Sequence, residues 1–86
     1  MGYDYPIDYT WSTEEIITVM ALYNAVEKAY EEGINKDEFM SAYRGFKTII
    51  QSMSQEKQID KQFLEASGYS IYKVKKALEE NDFIKV

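Results

Sequence analysis

The sequence contains no cysteine and no histidine. The first absence excludes disulfides and thiol nucleophiles, and the two together exclude zinc sites of the usual kind, histidine-ligated haem and Ser-His-Asp catalysis. Proline occurs once, at Pro6, and arginine once, at Arg44. No apolar run approaches the roughly 20 residues that span a bilayer, and no charged-then-apolar leader opens the chain. Gly2 follows the initiating methionine, but Pro6 stands where a myristoylation signal carries Ser or Thr. The chain is therefore expected in the cytoplasm, without a lipid anchor. No catalytic, metal or cofactor-binding residue is expected, and the reading is of a protein that is not an enzyme.

What remains is an ordinary globular composition, with 45% hydrophobic and 29% charged residues in a chain of 86. That is enough for one domain with one small core. The formal charge is −5, which repels phosphate backbones and anionic surfaces at long range. It is unevenly placed. Residues 1–52 hold nine acids against four bases, whereas residues 53–86 hold six of each sign.

The spacing predicts four helices, over about residues 13–32, 36–51, 54–66 and 71–80. "WSTEEI" supplies the first start, with Ser12 as cap, Glu15 completing a capping box and Trp11 placed to staple onto Ile16. Ile16, Val19, Met20, Tyr23, Val26 and Tyr30 then recur at helical spacing, with Leu22 and Ala29 on the flank. Gly33 fits the left-handed residue after a helix end. "INKDEF" repeats the start signal with Asn35, Glu38 and the pair Ile34 and Phe39. Phe39, Ala42, Tyr43, Phe46, Ile49, Ile50 and Met53 form the second stripe. Gly45 inside it costs about 1 kcal/mol against alanine and suits a close helix approach.

The next break falls near Gln51 and Ser52, with Ser52 or Ser54 able to cap. A third helix carries Ile59, Phe63 and Ala66 inward and ends at Gly68. Ser70 caps a fourth, which packs Ile71, Val74, Ala77 and Leu78 and leaves "DFIKV" as a tail. No stretch alternates with the period of a strand, so no sheet is expected. The fold class is all-α: a compact array of four helices, with an extended aromatic N-terminal segment packed on it.

Three constellations could carry function. "SGYSIYKVKKAL" places Gly68, Ser70, Val74 and Leu78 where a helix-turn-helix has its turn and packed residues. Residues 63–78 are thus the alternative nucleic-acid site. Lys73, Lys75 and Lys76 lie on its second helix, but no arginine or asparagine there can read a base edge. The acidic pairs Glu14/Glu15, Glu31/Glu32, Asp37/Glu38 and Glu79/Glu80 do not make a metal site: neighbours on a helix diverge by about 100°, and a di-iron bundle needs Glu-x-x-His. The third is the tyrosine-rich opening "YDYPIDYTW". With the tyrosines of the final corner it gives a candidate partner surface of Tyr3, Tyr5, Tyr9, Tyr69 and Tyr72. A protein partner of unknown identity is expected, with the chain itself a monomer or weak homodimer.

The chain resembles the YktA-like family of small uncharacterised proteins from low-GC Gram-positive bacteria. The likeness runs over nearly the whole length. It rests on "YDYP", "WSTEE", "VEKAYEEGI", "AYRGFK", "EKQI" and "SGYSIYK" in that order. The family pattern has a proline after "II", where this chain has Gln51. The resemblance implies a compact helical domain in the cytoplasm of such a bacterium, and transfers no activity and no catalytic residue.

Overall fold

The computed structural model describes residues 5–86. In chain order it contains α1 (Thr13–Glu31), β1 (Ile34–Asn35), α2 (Lys36–Ile49), α3 (Met53–Ser67), α4 (Ile71–Leu78) and β2 (Phe83–Ile84). The fold is all-α with four helices, and the strands form one antiparallel pair in the register Ile34↔Ile84 and Asn35↔Phe83. Among the described residues no helix is long and apolar enough to cross a membrane.

Each helix begins on a side-chain cap. Ser12 Oγ accepts from the Glu15 N–H at 3.1 Å and Glu15 Oε1 accepts from the Ser12 N–H at 2.8 Å, a complete capping box. At the other end of α1, the Lys28 carbonyl takes the N–H groups of both Glu32 and Gly33, with Gly33 at φ +99°. Asn35 caps α2 through the Glu38 N–H at 2.8 Å. There the reciprocal half of the box is replaced: both Glu38 carboxylate oxygens bind Lys28 Nζ on α1, at 3.1 and 2.9 Å. Of the two serines able to start α3, Ser52 is the cap. Ile50 at φ −104°, ψ 91° makes the break without a proline. Gly68 at φ +81° ends α3, and Ser70 Oγ caps α4 through the Lys73 N–H at 3.1 Å.

Every helix contributes to the core. α1 lays down Val19, Leu22, Tyr23, Val26 and Ala29, α2 adds Phe39 and Phe46 with Ile50 just past its end, α3 adds Ile59 and Phe63, and α4 adds Ile71, Val74 and Leu78. Leu22 and Ala29, expected on the flank of α1, are fully buried, while Ile16 and Met20 are only partly so. The reason is α2, which lies along that side: Ala25 faces Ala42 and Gly45 across the α1–α2 groove. A Cβ built on Gly45 would stand 2.9 Å from Thr18 Cγ2 of α1, so the two helices meet at a glycine.

The N-terminal segment is packed on this core. The Tyr5 ring lies 5.4 Å from Tyr23 and 5.0 Å from Phe63, which themselves stack at 4.7 Å. The Tyr23 hydroxyl donates to the Pro6 carbonyl at 2.7 Å, and the Tyr5 hydroxyl donates to Glu27. Burial pushes the Tyr23 phenol well above its ordinary range.

The tail differs from expectation. Instead of trailing from α4, residues 82–86 turn back to pair with β1: the Lys36 N–H donates to the Asp82 carbonyl at 2.7 Å and the Val86 N–H to the Ala29 carbonyl at 2.9 Å. The expectation of no sheet is thereby corrected. A two-residue strand is too short to show a period of two, and its pairing is set by what lies across from it.

Candidate interaction surface

The corner between α3 and α4 is built by one carboxylate and one tyrosine from elsewhere in the chain. Asp60 on α3 accepts the Ile71 N–H at 3.0 Å, adding to the Ser70 cap at the start of α4. Burial raises the Asp60 carboxyl above its ordinary value and the neighbouring Glu56 charge adds to this, against backbone hydrogen bonds from Ile71 and Tyr72 that favour the anion. On the α1 side, Tyr30 accepts the Ser70 N–H at 3.1 Å through its hydroxyl, and its ring stacks on Tyr69 at 4.3 Å. The Tyr69 hydroxyl donates to Glu31 at 2.9 Å.

This corner sets the direction of Tyr72. With Ile71 and Val74 buried and Asp60 bound at the helix start, Tyr72 points outward and is 59% exposed. Grooves open on both of its sides. One, of about 790 Å³, is lined by Tyr30, Leu64, Lys73, Lys76 and Ala77 among others. The other, of about 530 Å³, is lined by Tyr43, Lys47, Met53, Glu56, Lys57 and Lys75. Leu64 and Met53, one in each groove, are 46% and 65% exposed.

The second groove has a polar floor. Glu56 accepts from the Tyr43 hydroxyl at 2.6 Å and from Lys47 Nζ at 2.5 Å. Lys75 Nζ stands 5.4 Å from the Tyr43 ring centre and pairs with Glu79 at 3.5 Å. Burial works to raise Glu56, yet the hydrogen bonds from Lys47 and Tyr43 and the charges of Lys47 and Lys75 outweigh it and hold the carboxyl below its ordinary value. Tyr43 moves the other way, raised by burial and by its bond to the Glu56 anion. Each group is already committed to a neighbour, so the network ties α2 to α3 and α4. Among the described residues no three carboxylates come together to hold a metal ion.

The model of the "Uncharacterised protein family (UPF0223)" matches residues 2–85. The chain belongs to the UPF0223 family. A UPF0223 protein of Bacillus cytotoxicus is 52% identical over the whole of both chains. One of Oceanobacillus iheyensis is 53% identical over 95% of this chain and 94% of its own. One of Streptococcus uberis is 51% identical over 91% of this chain and 86% of its own. All three genera are low-GC Gram-positive bacteria, in keeping with the resemblance.

Within this UPF0223 chain the five tyrosines singled out from sequence have different surroundings. Tyr3 lies outside the described residues. Tyr5 is packed against Tyr23 and Phe63, and Tyr69 against Tyr30. Tyr9 is 92% exposed, in the loop before α1. Tyr72 alone among the described four stands exposed between two grooves. Sequence reasoning did not find Leu64 and Met53 beside it, nor the Glu56 network beneath. Leu64 had one signal, a large apolar residue off the inward stripe of α3, whereas Met53 was expected on the inward stripe of α2; α2 ends at Ile49, so Met53 instead opens α3 and faces outward.

Proposed function

We propose that this UPF0223 chain is a non-enzymatic protein-interaction module acting in the cytoplasm, and that its contact face is the α3–α4 corner centred on Tyr72. The observation that carries the reading is the position of Tyr72: a half-exposed aromatic ring on a rigidly capped helix, with an exposed apolar side chain in the groove on either side. Aromatic anchors held by a fixed backbone give much contact area at little cost in ordering, which is why they dominate binding surfaces. The other strongly exposed apolar side chain of the helices, Ile17, borders a groove of Ala21, Ala25, Ala42 and Gly45, which offers no aromatic ring.

The rival reading is nucleic-acid binding through residues 63–78, favoured by Lys73 and Lys76 lining one groove of the corner. Glu80 in the same groove and the charge of −5 oppose it. A benzophenone amino acid placed at position 72, and separately at position 17, in a Gram-positive host separates the two. A discrete protein adduct formed from position 72 and not from position 17 is expected. Equal adducts at both positions, or an adduct with nucleic acid, would overturn the proposal.

A further inference from the structure

We infer that the occupant of this face is an acidic segment of a partner protein, carrying apolar side chains that seat on either side of Tyr72. The inference rests on the reading of the α3–α4 corner as a docking surface, and names the chemistry of what docks there. Its ground is the charge left over once internal pairs are removed. Lys47 is taken by Glu56 and Lys75 by Glu79. Lys57, Lys73 and Lys76 also line the two grooves, are exposed, and enter no ion pair among the described residues.

Of the acids in the same lining, Glu56 is paired with Lys47, which leaves Glu80 in one groove and, in the other, Asp60, half-buried and turned into the start of α4. Three unpaired, exposed ammonium groups against one exposed carboxylate, Glu80, and the half-buried Asp60 leave a rim with an excess of one positive charge around an apolar centre, on a chain whose formal charge is −5. Such a rim selects carboxylates at the edge of the contact while Leu64, Met53 and Tyr72 take apolar side chains at its middle. A long phosphate backbone matches the rim but not the centre, and it meets the repulsion of the acidic half of the chain.

The test uses the 86-residue chain labelled with nitrogen-15, titrated with four probes. The first is a short synthetic peptide of aspartate and glutamate interrupted by two leucines. The second is the same peptide with every acid replaced by its amide, the third is the acidic peptide without leucine, and the fourth is a short DNA duplex. The first probe is expected to shift the amide resonances of residues 64–80. Its affinity should fall about tenfold or more, equivalent to at least about 1.4 kcal/mol, in the K73E/K76E variant. It should fall similarly for the amide probe, and Tyr72→Ala should weaken the first probe while leaving the helical signal of the chain intact.

If the amide probe binds the Tyr72 face as tightly as the acidic one, the acidic partner is overturned while the docking surface stands. If the leucine-free peptide or the DNA binds there as tightly as the first probe, or if no probe perturbs α4, both readings fall.

Discussion

Glu56 and Asp60 sit one helical turn apart on α3 and are shifted in opposite directions, so their consequences for stability differ in sign. Glu56 is held below its ordinary value. Its contribution is present above the carboxyl value of the unfolded chain and is lost as pH falls through the lower, folded value. Glu56→Gln should therefore cost about 1 kcal/mol at neutral pH, and the gap from wild type should narrow only once the pH falls below the ordinary carboxyl value, read from urea midpoints across the acid range. Asp60 is raised, so its ionisation opposes folding at neutral pH and the penalty is relieved as pH falls through its folded value. Asp60→Asn keeps an oxygen for the Ile71 N–H and removes the half-buried charge. It should match or exceed wild type at pH 7, whereas Asp60→Ala leaves that N–H without its acceptor and should cost about 1 kcal/mol, compared by thermal melts. Neither role was legible in the sequence. The partners of Glu56 lie 9 and 13 residues away and that of Asp60 lies 11 away, beyond the three- and four-residue spacings that pattern reading can pair.

The helices themselves were legible because their ends are written locally. Ser12, Asn35, Ser52 and Ser70 each bind an N–H three residues on, and Gly33 and Gly68 take the positive φ that other residues resist. The strands were not legible, since Ile34 in mid-chain and its partner Ile84 near the C-terminus are far apart in sequence and neither two-residue run has a pattern of its own. Gly45 lies between these cases: the sequence marks a close approach, and the structure shows what approaches. Alanine at position 45 would gain up to about 1 kcal/mol of helix propensity. However, its Cβ would meet Thr18 Cγ2 at 2.9 Å, and the Thr18 hydroxyl is held by its bond to the Glu14 carbonyl at 3.0 Å. Gly45→Ala alone should leave stability unchanged or lowered. In a Thr18→Ser background, which keeps the hydroxyl and removes the methyl, the same change should stabilise by about 0.5–1 kcal/mol. Chemical denaturation of the four members of this cycle checks the coupling; simple additivity would show that the helices do not meet at this point.

On the scale of the whole molecule, the C-terminal residues close a circuit. β2 ties the exit of α4 to the turn between α1 and α2 through Ile84 opposite Ile34, Asp82 on the Lys36 N–H and the Val86 N–H on Ala29. Phe83 lies over Gly33, where an added Cβ would collide with its ring and approach the Ile84 carbonyl at 3.2 Å. Ending the chain after Asn81 removes this clasp and exposes Ile34. In so small a core that should cost about 2–3 kcal/mol, which lowers the melting temperature by about 10 °C or more. Gly33→Ala in the full chain carries two penalties, the positive φ and the collision with Phe83. In the shortened chain only the first remains, about 1–2 kcal/mol. The two changes should therefore be less than additive when urea midpoints of the four proteins are compared. Full additivity would mean that Phe83 does not rest on Gly33. Residues 64–78 take no part in these hydrogen bonds, but α4 packs against β2, so Tyr72 should keep its binding behaviour in the folded shortened chain to the extent that the Ser70 and Asp60 contacts alone hold the start of α4. Loss of that binding, measured at a temperature where the shortened chain is still folded, would show that the clasp also sets the position of the corner.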